Sequence, residues 1–482
     1  LVYNIILTLF NLLFPILSFP YASQILGPAG IGKAQFIIML TQYFSVFTGL
    51  GLQLYGVRII ASIKDDKEKL SKAFCELAAL SFITTIIITA VYFIIVFSLN
   101  RFQAERTLYI IGSIIILLGF SSIDWFFAGM EQFKNITLRS VAVKILSLLL
   151  LYLFVKKPSD VDLYLYISIF AVIGNNIINC LLITKTVKLN FKDLNFKRHY
   201  SGIKFAFVTT VSLSMYYSFD TVILGYMTND TSVGYYTAAG KLAKIAVPVL
   251  TSFGVVLMPK IAKTFAEGDV LNFEALISKS FNYVMLISIP LSFGLFLLAP
   301  EVIYVISGAQ FLPAVITMRI LSAFPFIMGI GHLFGYQILT AIGKDKQMSN
   351  AIVTGLVFAI IGYICLIPFY QYNGAAIANC LAELLLTYLL YYYVKKHVKY
   401  KFDTSLALKA IISSTCFIPI IIYIHSLNLP PWWMLVISII VCAIFYLTIQ
   451  ILLFKHPLAV VALESIKQKI TRSREIHNRV NL

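Results

Sequence analysis

About fourteen apolar segments, each near twenty residues long, follow one another along this chain. They lie at residues 2–26, 34–57, 73–98, 107–130, 138–155, 163–183, 201–226, 233–258, 280–299, 314–340, 348–369, 373–394, 406–426 and 432–454. An α-helix rises about 1.5 Å per residue, so roughly 20 apolar residues cross the hydrocarbon of a bilayer. Lipid offers no partners to backbone N–H and C=O groups, and segments of this length satisfy them as helices. The chain is therefore expected to be an all-α integral membrane protein of about 14 transmembrane helices. Composition leads to the same place: 60% of the residues are hydrophobic, 12% are charged and the mean hydropathy is +0.88, values foreign to a soluble domain. The sequence opens inside the first segment without a Met. A few residues are thus expected to precede Leu1, with the first segment as its own insertion signal.

The net charge of +17 does not point to nucleic acid. Its basic residues sit in short loops beside the spans rather than in a patch interleaved with stacking aromatics. Counted over alternate loops, about 29 Lys and Arg fall on one side and about 5 on the other, which predicts that both termini are cytoplasmic. The heaviest basic loop runs from Lys185 to Lys204. Lys188, Lys192, Lys197 and Arg198 alternate there with Leu189, Phe191, Leu194 and Phe196, a pattern suited to the anionic inner leaflet. The tail carries basic residues with Ile466 and Ile470 on one face and suits the same surface. No loop is long enough for a soluble catalytic or nucleotide-hydrolysing module, and phosphate-cradling glycine loops are absent from the sequence. Six cysteines lie singly in or beside apolar runs without metal-ligand or redox spacing, which makes them packing residues and gives no metal site.

The basic loop divides the chain into an N-terminal six-helix bundle (1–184), a cytoplasmic linker (185–200), a C-terminal six-helix bundle (201–397), two accessory transmembrane helices (398–454) and a cytoplasmic basic tail (455–482). The segments that open the two halves echo each other. Ile25-Leu26-Gly27, Ile31-Gly32 and Ala34 match Ile223-Leu224-Gly225, Val233-Gly234 and Ala239, and Arg58-Ile59-Ile60-Ala61 matches Pro259-Lys260-Ile261-Ala262. Small residues recur at helix-packing positions in membranes, but their place at the start of both halves suggests a duplication. Two repeated bundles with a site between them permit alternating access.

Three stretches carry a more specific likeness. The first is Gly49-Leu50-Gly51-Leu52-Gln53-Leu54-Tyr55-Gly56-Val57-Arg58-Ile59-Ile60-Ala61. The second is Trp125-Phe126-Phe127-Ala128-Gly129-Met130-Glu131, followed by Phe133-Lys134 and Lys144. The third runs from Phe219-Asp220-Thr221 through Leu224-Gly225 and Gly234-Tyr235-Tyr236 to Lys241-Leu242-Ala243-Lys244. In order, spacing and span count the chain resembles the Wzx-type polysaccharide (O-antigen) flippases of the multidrug/oligosaccharidyl-lipid/polysaccharide exporter superfamily. That resemblance implies a V-shaped alternating-access transporter of the bacterial cytoplasmic membrane, not an enzyme. Its implied cargo is undecaprenyl-diphosphate-linked oligosaccharide, moved from the cytoplasmic to the outer leaflet, and its implied partners are membrane lipids, a polysaccharide polymerase and a chain-length regulator.

A dianionic diphosphate needs cations along its route. Lys241 and Lys244 are three residues apart and so share a helix face; Lys241 lies about 13 Å deep, and Pro248 beyond them can kink the helix. Lys144 lies roughly 10 Å into its span. An ammonium at such depth is costly unless it faces a polar cavity, pairs with a carboxylate or snorkels. Arg58 and Arg319 stand at opposite ends of the route, either as interface anchors or as bidentate diphosphate contacts. Asp124, Asp220 and Glu383 have two readings: they neutralise buried lysines, or they take up the H+ or Na+ that drives antiport. His332, alone in a Gly-rich stretch, reads as structural.

Two other functions fit the architecture less well. An exporter of cationic drugs would want a carboxylate-lined cavity rather than one with Lys144, Lys241 and Lys244. A membrane-embedded polymerase or glycosyltransferase would want catalytic groups on a sizeable outer loop, and every outer loop here is short.

Overall fold

The computed structural model describes residues 2–191, 194–245, 247–398 and 402–454; the basic tail, Lys192 and the side chain of Lys185 lie outside what is described. The described residues are almost entirely helical and contain no strand. Eleven helices among them are long and apolar enough to cross a membrane. Two of the eleven are far longer than one crossing. Helix α1 (Val2–Thr48) has 47 residues and is broken at Gly27 (φ 68°, ψ 179°), just before Pro28. A positive φ favours glycine, and the following proline bars the helical region to the residue before it. The helix Asp345–His397 has 53 residues and is broken at Gln371 (φ 47°, ψ −127°). A Cβ on Gly374 would lie 2.3 Å from the Leu366 carbonyl oxygen, so the chain folds back on itself there.

Further helices follow α1: α2 (Leu52–Ile63), α3 (Lys67–Ser98), α4 (Arg106–Gly112), α5 (Ile114–Leu117), α6 (Asp124–Gly129), α7 (Phe133–Phe154), α8 (Val161–Thr186), α9 (Tyr200–Met227), α10 (Asp230–Lys244), α11 (Val247–Ala266) and α12 (Val270–Leu297). Then come α13 (Ala299–Ser307), α14 (Val315–Leu321), α15 (Phe324–His332), a π-helical turn (Leu333–Leu339), α16 (Asp345–His397), α17 (Ser405–Thr415), α18 (Phe417–Ser426) and α19 (Pro431–Leu452). Asp66 starts α3 by accepting hydrogen bonds from the Glu68 and Lys69 amides at 3.2 and 3.1 Å.

The chain forms two compact units. The first comprises Leu1–Thr237, Ile306–Phe311 and Ile360–Ala375; the second comprises Ala238–Val305, Leu312–Ala359 and the chain from Ala376. In the first, α1 is the hub and packs on α3, α5, α7, α8 and α9. Its first half runs alongside α7 in the same direction. Tyr3 accepts from Thr137, Asn11 from Lys144 and Leu17 from Tyr152, and Tyr21 donates to Val155, so both sets of numbers rise together. Parallel neighbours that both span a bilayer require an even number of crossings from the start of one to the start of the other. The two halves of α1, α3 and the α4–α6 stretch provide four.

The second unit is built around α12, which packs on α11, α14, α15, α17 and α18. Gln337 in the π-helical turn is fully buried there; its Oε1 accepts from Ser280 and its amide fills the space left by the missing side chain of Gly254.

The helices are patterned inside out. On α3 the inward face is Leu77, Ser81, Thr85, Thr89, Tyr92 and Val96, whereas Ile86 and Ile94 are 55% and 64% exposed. Water would drive the isoleucines inward. A lipid solvent instead lets small hydroxyl residues form the helix contacts and leaves large aliphatics facing the hydrocarbon.

Candidate functional site

Two helix interruptions meet in the first unit. Between α1 and α2 the backbone leaves the helix at Leu50 (φ 49°) and Gly51 (φ 72°). Between α5 and α6 it breaks into a short 3-10 turn, Gly119–Ser121. The carbonyls freed by these breaks cannot stay bare inside a membrane protein. Thr48 O accepts from Ser81 Oγ at 3.0 Å and Thr84 Oγ1 at 3.1 Å; Leu118 O accepts from Asn176 Nδ2 at 3.1 Å and Ser121 Oγ at 2.6 Å. Glycine permits the close approach: a Cβ on Gly119 would lie 2.2 Å from Thr48 Oγ1.

A cavity of about 350 Å³ opens at this crossing. Gln42 and Ser45 of α1, Gln53 of α2, Ser122, Trp125 of α6 and Thr210 of α9 line it, with Val46, Leu52, Ile115 and Val172 as apolar wall. Helices interrupted in mid-span beside a cavity are how membrane transporters present ligand sites. Two of the stretches singled out in the sequence build this corner. Helix α2 packs on α6, with Gly56 against the Trp125 ring and Gly129 against Ile60. Phe74, Trp125, Phe126 and Phe127 form the aromatic core beneath.

The charged residues expected at the site are distributed as follows. Lys144 sits on α7. Its ammonium donates to Asn11 Oδ1 and lies 6.0 Å from the Phe14 ring centre, and no carboxylate is within 4 Å among the described residues. Arg58 is exposed on α2. Asp124 does not meet a lysine: its Oδ1 accepts from Arg139 Nη2 at 2.6 Å and from Asn179 Nδ2 at 3.0 Å. Asp220 is buried and accepts from Tyr236 Oη at 2.7 Å and from the Thr221 amide at 2.6 Å, so the third stretch is bonded internally.

In the second unit, Lys241 and Lys244 occupy the last turn of α10. The helix stops at Lys244 and resumes at Val247, with Pro248 in the first turn of α11, where its missing N–H costs nothing. Cations in a last turn face the negative end of the helix dipole, which offsets part of their burial. The Lys244 ammonium lies 5.7 Å from the Phe324 ring centre, and the exposed Arg319 guanidinium 5.7 Å from that of Phe296. Glu383 is buried on the second half of α16.

Sequence reading missed two buried polar clusters. Arg139 is 5% exposed, lies 4.5 Å over Phe127 and leaves Nε and Nη1 without partners; the buried Oδ1 atoms of Asn175 and Asn179 are without partners too. Glu76 is fully buried on α3; it accepts from the Asn195 amide at 3.0 Å and pairs with Arg198 and with His199 Nε2 at 2.8 Å. His199 Nδ1 meets Tyr55 Oη at 2.8 Å. This second cluster pins the basic linker to α3 and α2. Its only signal in the sequence was an acid between Cys75 and Leu77 in an apolar run.

The echoed glycines meet each other. A Cβ on Gly32 would come within 1.6 Å of Asp230 O and 2.7 Å of Gly234 N, and one on Gly234 within 2.0 Å of Pro28 O. Matching positions of the proposed repeat thus form a reciprocal backbone contact inside the first unit. Ion pairs flank it, Arg101 with Asp230 at 3.0 Å and Lys33 with Glu105.

Known proteins agree with this architecture. Residues 1–265 match the family model described as polysaccharide biosynthesis protein. The chain is 26% identical over 392 residues to the "Putative O-antigen transporter" of Escherichia coli (strain K12), covering 80% of this chain and 94% of that protein. Among solved structures, the lipid II flippase MurJ in an inward closed conformation superposes with a TM-score of 0.75, at 17% identity over 94% of this chain and 99% of that one. An inward-facing multidrug resistance MATE family transporter of the MOP superfamily gives 0.62, at 15% identity over 82% and 94%. The chain belongs to the polysaccharide biosynthesis protein family, and it shares its fold with the MurJ and MATE structures.

Proposed function

We infer that this protein carries an undecaprenyl-diphosphate-linked oligosaccharide from the cytoplasmic to the outer leaflet of the bacterial cytoplasmic membrane, by alternating access and without chemical conversion of the cargo. The observation that carries this reading is Lys144. In the first unit, Arg139, Lys33 and Arg101 are each matched by a carboxylate, whereas the Lys144 ammonium meets a neutral amide and a ring. An ammonium in a span without a counter-charge is costly at rest and suits an anionic visitor. Lys241 and Lys244 at the end of α10 supply the same charge to the diphosphate, and Arg58 and Arg319 serve as its entry and exit contacts. Asp124 acts structurally, held by Arg139, while Asp220 and Glu383 are the sites for any H+ or Na+ coupling.

The chain crosses the membrane fourteen times with both termini inside, as two six-helix bundles plus two accessory helices. Its cargo passes on to a polymerase and a chain-length regulator. Removing the counterpart of a charge-assisted hydrogen bond costs about 1.5–3 kcal/mol, or about ten- to a hundredfold in affinity. In proteoliposomes, Lys144→Ala should therefore slow translocation of the lipid-linked cargo about tenfold or more, with Lys144→Arg close to wild type. Equal rates for wild type and Lys144→Ala would remove this residue from the route.

A further inference from the structure

Resting on the flippase reading, we propose that the cavity at the two helix interruptions is a sugar subsite, which binds an uncharged pyranose of the cargo's head group and discriminates between head groups. No Asp, Glu, Lys or Arg lines it, so it complements neither a diphosphate nor a metal cation. What it offers is unused hydrogen-bonding capacity. The side chains of Gln42, Ser45, Gln53, Ser122 and Thr210 have no hydrogen-bond partner among the described residues. The backbone carbonyls of the two breaks, by contrast, are already satisfied by Ser81, Thr84, Asn176 and Ser121.

A carboxamide both donates and accepts, as a hydroxyl does, and together they complement the hydroxyls of a sugar. A lipid tail in the same place would strand all five polar groups in an apolar setting, at a cost for each. The Trp125 indole, 2% exposed, closes the cavity as apolar wall beside these polar groups. It is held rigidly, stacked on Phe74 with ring centres 5.9 Å apart and closed in by Gly56, where a Cβ would sit 2.5 Å from the indole. Such preorganisation lowers the entropy lost on binding. The volume, about 350 Å³, is at the small end of ligand pockets and suits a sugar ring with its substituents rather than a whole repeat unit.

The chain has three tryptophans, so Trp432→Phe with Trp433→Phe leaves Trp125 as the sole tryptophan, excited selectively at wavelengths where tyrosine does not absorb. This protein is titrated in nanodiscs with undecaprenyl diphosphate and with the same lipid carrying a neutral disaccharide, and binding of each is counted by native mass spectrometry. Trp125 emission should respond to the disaccharide lipid and not to the sugar-free one. Gln42→Leu and Gln53→Leu should each weaken the disaccharide lipid about fivefold, the loss of one neutral hydrogen bond, and leave the sugar-free lipid unchanged. If a leucine variant does not fold, Gln42→Asn or Gln53→Asn, which withdraws the amide by one methylene, is read the same way. An equal Trp125 response to both lipids, or unchanged disaccharide-lipid affinity in folded variants, overturns the subsite and leaves the flippase standing. Failure of the unsubstituted protein to bind either lipid overturns both.

Discussion

Single residues show how differently charges behave in the same bilayer. Arg139 and Lys144 are five positions apart on α7, yet one is matched by Asp124 and the other is not. Losing one partner of a buried pair leaves a charge that nothing neutralises, typically at a cost of about 3 kcal/mol. Asp124→Asn should accordingly lower the thermal midpoint in detergent by several degrees, and Asp124→Asn with Arg139→Leu should recover most of it. Lys144→Ala should leave that midpoint unchanged while slowing transport, since its amide and ring contacts are weak. A transport defect in Asp124→Asn without loss of stability would instead make Asp124 a coupling group. None of these pairings was legible beforehand. Asp124–Arg139 joins two successive helices, and Glu76–His199 joins residues over a hundred positions apart.

At the scale of elements, the helices were legible because the bilayer imposes their length and the inside-out pattern their faces. The interruptions were not. Leu50 takes a positive φ, which its own side chain disfavours, because Ser81, Thr84 and Gly119 secure the break from other helices. The glycine echo was visible as a repeat, but only the fold shows that Gly32 and Gly234 touch. Gly32→Ala and Gly234→Ala must push two backbones apart, so each should destabilise the protein by roughly 1–3 kcal/mol. Gly294 in α12 has nothing within 4 Å of an added Cβ, and Gly294→Ala should be neutral or stabilising by about 0.5–1 kcal/mol. Thermal unfolding of the three variants in one detergent checks the contrast; a uniform effect would show that the close crossing is not tight in solution.

For the whole molecule, the lysine asymmetry between alternate loops and the parallel pairing of α1 with α7 arrive at a consistent alternation of crossings by independent routes. The loop between α2 and α3 (Lys64–Asp66) and the linker after α8 should therefore face the same side of the membrane, which single-cysteine labelling of Lys64→Cys and Lys188→Cys in intact and opened cells checks. Labelling of only one of them in intact cells would break the alternation. The central claim is that a cationic route carries a lipid-linked sugar. Purified protein in proteoliposomes, loaded with undecaprenyl-diphosphate-linked oligosaccharide on one leaflet, measures it directly. The account predicts appearance of the sugar on the opposite leaflet, abolished in Lys241→Ala with Lys244→Ala although that variant still inserts. Undiminished transport by the double variant would contradict the cationic route, and export of small organic cations with no movement of the lipid-linked sugar would contradict the account as a whole.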